Sequence, residues 1–216
     1  MSIIHISENA YPELIEYLRE NGHEVRITEN DARLGKGVGD HADLRVCVIG
    51  KKAIFADISG LEPKYPENAA YCAVVLDDFF VHRLDITAPE ILDAAKDCGK
   101  TLINVRQGYT RCSCAVIDGN SIITADEGIA KTLEKYPEID VLKISEGNVL
   151  LPGFDYGFIG GTMGRVENEI LFNGDISQHP DYDKIRGFIE KRGLKLRTFG
   201  GNLRDIGSII EERTEK

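Results

Sequence analysis

The chain predicts a mixed α/β fold made by repeating one ββαβ unit, and three observations predict it. Segments 72–104, 112–145 and 155–199 share one order: apolar run, turn, second run, aspartate, helical stretch, third run. Within each, the apolar period switches from 2 to 3.6 and back again. The two ends of the chain also complement each other as halves of a further unit, so residues 1–216 are expected to form one domain.

In the first complete segment the pattern predicts strands at 72–76 and 79–84, a helix at 89–97 and a strand at 101–105. In the second it predicts strands at 112–117 and 121–125, a helix at 129–135 and a strand at 141–145. The hairpin there turns through Asp118-Gly119-Asn120, and an Asp-Gly turn between β-branched runs calls for positive φ. The third predicts strands at 156–160 and 170–173 around a glycine-rich turn, a helix at 182–191 and a strand at 194–199. Asp85, Asp126 and Asp175 stand ahead of the helical stretches, where a short carboxylate caps free N–H groups. Gly99 and Gly193 follow the helices as C-terminal caps.

Two further units are incomplete. A hairpin is predicted at 45–49 and 53–56 with the matching Asp57, and 58–68, which holds Pro63 and Pro66, reads as a loop. The last unit is split between the termini. Its first strand is predicted at 205–210, and the N-terminus supplies a strand at 3–6, a helix at 12–19, Gly22 and a strand at 24–28. The stretch from Ile3 to Leu14, with His5 and Pro12, echoes the stretch from Phe80 to Ile91, with His82 and Pro89. That makes five units.

Five such units about a pseudo-fivefold axis, the last shared between the termini, resemble the pentein or α/β-propeller fold. The segment 104–210 is similar to a bacterial family of unknown activity assigned to that fold. It carries Val105-Arg-Gln-Gly-Tyr-Thr-Arg-Cys, Leu151-Pro-Gly-Phe-Asp-Tyr-Gly-Phe-Ile-Gly-Gly and Ile170-Leu-Phe-Asn-Gly-Asp-Ile-Ser. The resemblance implies either chemistry on a guanidino or amidino C–N bond, by a hydrolase or transferase, or a non-catalytic interaction module like the ribosome anti-association factor of the same fold. Guanidino chemistry needs a thiolate, a proton-shuttling His and carboxylates for the cation. The hydrolytic members carry a His-Cys pair near the C-terminus. Here the corresponding stretch, Gly200-Gly-Asn-Leu-Arg-Asp-Ile-Gly-Ser-Ile-Ile, has neither residue, and Ser208 is its one hydroxyl.

Composition narrows the partners. A net charge of −10 opposes binding to nucleic acid or to an anionic membrane, since both are polyanions. A hydrophobic fraction of 42% with 29% charged residues fits a globular chain. No run approaches the ~20 apolar residues of a membrane span, and the start lacks a signal peptide's basic region. Five cysteines, an odd number, point to a reducing cytoplasm.

The expected ligand is a small amino-acid-like molecule in the axial pocket. Arginine forks a carboxylate, and aspartate takes an ammonium or guanidinium. The candidate binding residues, at strand exits, are Asn104, Arg106, Arg111, Asn148, Asp155, Asn202 and Asp205. The competing reading is that these charges pair across the ring. Cys112 is the candidate nucleophile. In Cys112-Ser-Cys114 strand alternation would place both thiols on one face, with Arg111 favouring a thiolate. Core packing is the alternative, because Cys72-Ala-Val echoes Cys114-Ala-Val. The C-x-C spacing lacks a zinc signature, and the glycines of 153–164 fit no phosphate or dinucleotide loop, so neither metal nor cofactor is expected.

Overall fold

The computed structural model describes residues 1–60 and 63–213. Residues 61 and 62, within the predicted loop, lie outside the described residues. Strand β1 (Ser2–Ser7), helix α1 (Pro12–Glu20) and β2 (Glu24–Thr28) open the chain, and β3 (Val46–Ile49) and β4 (Lys52–Phe55) form a hairpin. Then come β5 (Val74–Val75), β6 (Phe79–His82), α2 (Pro89–Asp97) and β7 (Thr101–Asn104). A short helix α3 (Thr110–Ser113) leads into β8 (Cys114–Asp118), β9 (Ser121–Thr124), α4 (Glu127–Leu133) and β10 (Asp140–Lys143). The chain ends with β11 (Met163–Val166), β12 (Glu169–Asp175), α5 (Tyr182–Glu190), β13 (Lys195–Asn202) and β14 (Ile210–Arg213).

Among the described residues these strands make five small sheets, ordered β14-β1-β2, β3-β4, β5-β6-β7, β8-β9-β10 and β11-β12-β13. In each three-stranded sheet the central strand pairs antiparallel with the first strand and parallel with the last. The parallel step is crossed by a helix, as a parallel pair requires. The split unit follows the same rule: Ser2 pairs with Arg213 across the antiparallel edge, and Ile3 with Glu24 across the parallel one.

The apolar faces explain why small sheets are stable together. Val74, Val81 and Ile103 of one sheet pack on Ile122 and Ile129 of the next unit. Ala115, Ile117 and Ile123 pack in turn on Ile170, Phe172 and Ile185. Val166 and Leu171 meet Ile4, Ile6 and Leu14, and the β3–β4 hairpin buries Cys47 and Ile54 against Phe80 and Ile91. Each sheet is thus covered by its neighbours, and the cores lie between units. Truncating fully buried Phe80 or Phe172 is worth about 3–5 kcal/mol. Among the described residues no helix is long and apolar enough to cross a membrane.

Helices and outer strands fall close to their predicted positions, but three first strands do not. Residues 156–160 are not a strand; β11 begins at Met163 and is reached through a 3-10 turn, Gly160–Thr162. The tightness of that turn is why glycine stands there. A Cβ on Gly160 would strike the Arg111 and Cys114 carbonyls, and one on Gly161 the Asp205 carboxylate. Residues 205–209 likewise form a bonded turn, with Ile206 and Ser208 N–H donating to the Gly161 carbonyl, so β14 begins at Ile210. Cys112 lies on α3 and not on a strand, so it does not share a strand face with Cys114.

The cap aspartates also divide. Asp126 caps α4 through the Ile129 N–H at 2.8 Å. Asp175 caps only the short Ile176–Gln178 turn, and Asp85 pairs with Arg83 while Ala88 precedes α2 without a side-chain cap. The Asp118–Ser121 hairpin forms, yet no positive φ occurs in its turn. Gly119 serves close approach instead: its carbonyl accepts from Asp77 N–H at 2.7 Å, and a Cβ would strike the Asp77 carboxylate.

Candidate functional site

A short turn precedes the first strand of each sheet, and the polar residues of these turns meet. Residues 42–44 turn into β3, 67–69 lie ahead of β5, α3 enters β8, 160–162 enter β11, and 205–209 enter β14. Asp43 N–H donates to Gly207 O at 3.1 Å, and Arg111 N–H donates to Cys72 O at 2.9 Å. Side chains then interlock. Cys112 Sγ donates to Asp43 Oδ2 at 2.8 Å and lies 3.9 Å from Cys72 Sγ. Ser208 Oγ sits 2.8 Å from the same Asp43 oxygen and 3.0 Å from Gly160 O, with one proton for two acceptors. Ser208 takes φ 68°, left-handed backbone that costs a non-glycine residue about 1–3 kcal/mol.

His41 completes the cluster. Its Nδ1 lies 3.9 Å from Cys112 Sγ, and its Nε2 lies 3.9 Å from Asp205 Oδ1. Asp205 is fixed by the Phe158 N–H at 2.9 Å and the Gly207 N–H at 3.0 Å. Burial is nearly complete: His41, Asp43 and Cys112 are 3%, 1% and 2% exposed. Burial first, then the contact with Cys72 and the Asp43 charge, hold the Cys112 thiol well above its ordinary value. Burial likewise raises Asp205 against the pull of His41 and its two N–H donors. Cys112 is therefore a protonated donor in this arrangement, not a thiolate.

Two openings flank the cluster. On one side a channel of about 290 Å³ runs between first strands, lined by alternate residues such as Val46, Val48, Ala73, Val75, Val116 and Arg165. Asp43 and Arg111 also line it. On the other side a cleft of about 380 Å³ is walled by Phe154, Tyr156, Phe158 and Ile159 and carries Asp126, Glu146 and Asp155. Among the described residues lining this cleft there is no Lys or Arg. Its His179 is pushed down by burial and is neutral at pH 7. Ser113 also lines it, and Ser113 Oγ is buried with no hydrogen-bond partner.

The sequence-chosen residues divide among these places. Asn148 and Asp155 line the acidic cleft, and Asn202 joins them around an adjoining hollow of about 570 Å³. Asn104 and Arg106 line a separate hollow, where Asn104 Oδ1 accepts from Leu84 N–H at 2.9 Å. Arg111 sits on the channel side, its guanidinium donating to Cys114 O at 2.9 Å. Asp205 and Cys112 lie in the closed cluster. The two arginines and the acids therefore do not converge on one pocket. His41 and Asp43 were missed: their segment has no apolar period, and the short His41-Ala-Asp43 spacing was the one available signal.

Comparison with known proteins gives the fold and the family. A dimethylarginine dimethylaminohydrolase from Pseudomonas aeruginosa, a Cys-to-Ser mutant complexed with citrulline, superposes with a TM-score of 0.57. Identity is 12%, over 91% of each chain. A dimethylarginine dimethylaminohydrolase adduct with 4-chloro-2-hydroxymethylpyridine gives the same values. A His-to-Gly variant adduct with S-methyl-L-thiocitrulline superposes at 0.55 with 11% identity and the same coverage. The chain thus has the mixed α/β fold of these dimethylarginine dimethylaminohydrolase structures. No curated protein sequence matches it. The model of the family of unknown function DUF6873 matches residues 57–210, and the chain belongs to that family.

Proposed function

We propose that the protein binds a small cationic ligand, of guanidino, amidino or amino-acid type, in the cleft carrying Asp126, Glu146 and Asp155. The observation that carries this reading is the cleft's single sign of charge. Three carboxylates, a neutral histidine and no lining Lys or Arg favour a cation, and the walls of Phe154, Tyr156 and Phe158 suit the flat face of a guanidinium. The unpartnered Ser113 hydroxyl supplies a polar atom at the wall. Asn148 and Asp155, chosen from sequence, both line it. An amino-acid carboxylate gains nothing from this lining, so agmatine-like cations fit better than zwitterions.

We further read the five sheets as the five units of one pentein-like α/β-propeller domain, the last unit shared by the termini. All five cysteines are free, which suits a reducing cytoplasm. Cys112 lies in the closed cluster and does not line this cleft, so the reading offered is one of ligand binding.

Thermal-shift titration tests the binding. Millimolar agmatine should raise Tm, arginine less and citrulline least, and Glu146→Gln with Asp155→Asn should abolish the rise. No shift with agmatine, or an undiminished shift in the double variant, would overturn the reading.

A further inference from the structure

The closed cluster itself remains unexplained by a ligand in the cleft, and the geometry points to a metal site there. We propose that His41 Nδ1, the Asp43 carboxylate and Cys112 Sγ bind a borderline divalent cation of the zinc type. The three ligand atoms lie within 4.8 Å of one another, and all three residues are buried. They come from two turns far apart in sequence, so the C-x-C spacing around Cys112 is not what carries the site.

Hydrogen bonding alone leaves the cluster incomplete. Asp43 Oδ1 is buried without a partner, although a buried carboxylate oxygen ordinarily has one. His41 Nε2 faces Asp205 Oδ1 at 3.9 Å, beyond an ordinary N–H···O bond, and its Nδ1 makes only a long contact of 3.9 Å to Cys112 Sγ. The spacing suits metal ligands better. A tetrahedral zinc with bonds of about 2.3 Å to sulfur and 2.0–2.1 Å to nitrogen sets its ligand atoms roughly 3.5 Å apart. The His41–Cys112 edge is close to that, and the Cys112–Asp43 edge of 2.8 Å opens when the shared proton is replaced by the ion. Cys112 binds as thiolate, giving its proton to solvent.

The donor set selects the metal. Thiolate and imidazole favour zinc-type ions over Ca²⁺ or Mg²⁺, which take oxygen ligands. The surroundings supply the usual support. Asp205, held by two backbone N–H groups, faces His41 Nε2 and would orient a ring bound through Nδ1. Gly207 keeps room for that ring, since a Cβ there would strike His41. Three protein ligands leave one position for water or a further group.

Co²⁺ titration of the metal-stripped full chain is the test. A Cys98→Ser background removes the one exposed thiol, so that buried thiols alone report. One equivalent of Co²⁺ should give visible d–d bands and a near-ultraviolet thiolate-to-cobalt charge-transfer band. Cys112→Ser should lose the charge-transfer band. Asp205→Asn, a positioning variant that leaves all three ligands, should weaken Co²⁺ binding about 10–100-fold while keeping that band. Absence of the band in the background protein at several equivalents of Co²⁺ would overturn the proposal, whatever the variants' folding. So would a band that persists in Cys112→Ser. Neither result bears on cation binding in the cleft, which thermal shift reads separately.

Discussion

Cys112 Sγ donates to Asp43 Oδ2 at 2.8 Å across a sequence separation of 69 residues, joining the turn before β8 to the turn before β3. The bond makes the thiol a donor inside a closed cluster, while Cys98 is exposed. In metal-free protein, a thiol-alkylating reagent should therefore modify Cys98 at least about 100-fold faster than Cys112, following thiolate fraction and access. Peptide mapping after timed alkylation reads this. Equal rates would mean that the cluster is open.

Four buried thiols set an alkaline limit. Burial pushes Cys47 and Cys114 up to about 12 from 9.0, and raises Cys72 and Cys112 in the same direction. Above pH 9 the unfolded thiols lose protons that the folded ones keep. The contribution of Cys47 and Cys114 is then full below pH 9 and falls as pH rises toward 12, by about 1.4 kcal/mol per pH unit for each of the two, with Cys72 and Cys112 acting in the same direction. Urea midpoints of metal-free protein at pH 8, 9 and 10 should show the decline, and Cys114→Ala should make it shallower by that thiol's share. A pH-independent midpoint would contradict the burial.

His82 sets the acid side. It is wholly buried, its Nδ1 lies 2.7 Å from Thr87 Oγ1 and its Nε2 donates to Gly108 O at 3.0 Å. Burial pushes it down to about 4 from 6.5, so the unfolded chain takes up a proton that the folded one refuses. Stability present above pH 6.5 is lost as pH falls toward 4, amounting to about 3 kcal/mol. A proton NMR titration should find this imidazole neutral at pH 5. A midpoint near 6.5 would show that it is solvated.

The shared unit predicts cooperative dependence on the chain ends. β14 pairs with β1, and Ile209 and Ile206 pack with Ile4 and Leu14. Truncation after residue 204, which removes both isoleucines together with β14, should lower the stability of the whole chain by several kcal/mol, on the order of the buried contacts removed. Fluorescence and circular dichroism should still report one coincident transition. Separate transitions would split the chain into independent parts.

Legibility followed the source of each constraint. Helix α2 is read from its apolar period and Gly99, whose φ of +70° ends it, so local chemistry alone places it. The first strands slipped because their positions are set by neighbouring turns. Gly160 and Gly161 look like flexible loop residues, yet they are the surfaces on which the Arg111 and Cys114 carbonyls and Asp205 rest. The candidate site was legible at Asn148 and Asp155, which lie in the loop between β10 and β11 and line the cleft. His41 and Asp43 were not, because their partners Asp205, Cys112 and Ser208 reach them only through tertiary approach.

Isothermal titration of the full chain with agmatine, against the Glu146→Gln/Asp155→Asn variant, tests the cation-binding claim most directly. One site per chain is expected, weakened at least roughly tenfold by removing the two charges, with citrulline binding worse than agmatine. Binding of citrulline equal to that of agmatine, or unchanged agmatine affinity in the variant, would contradict it.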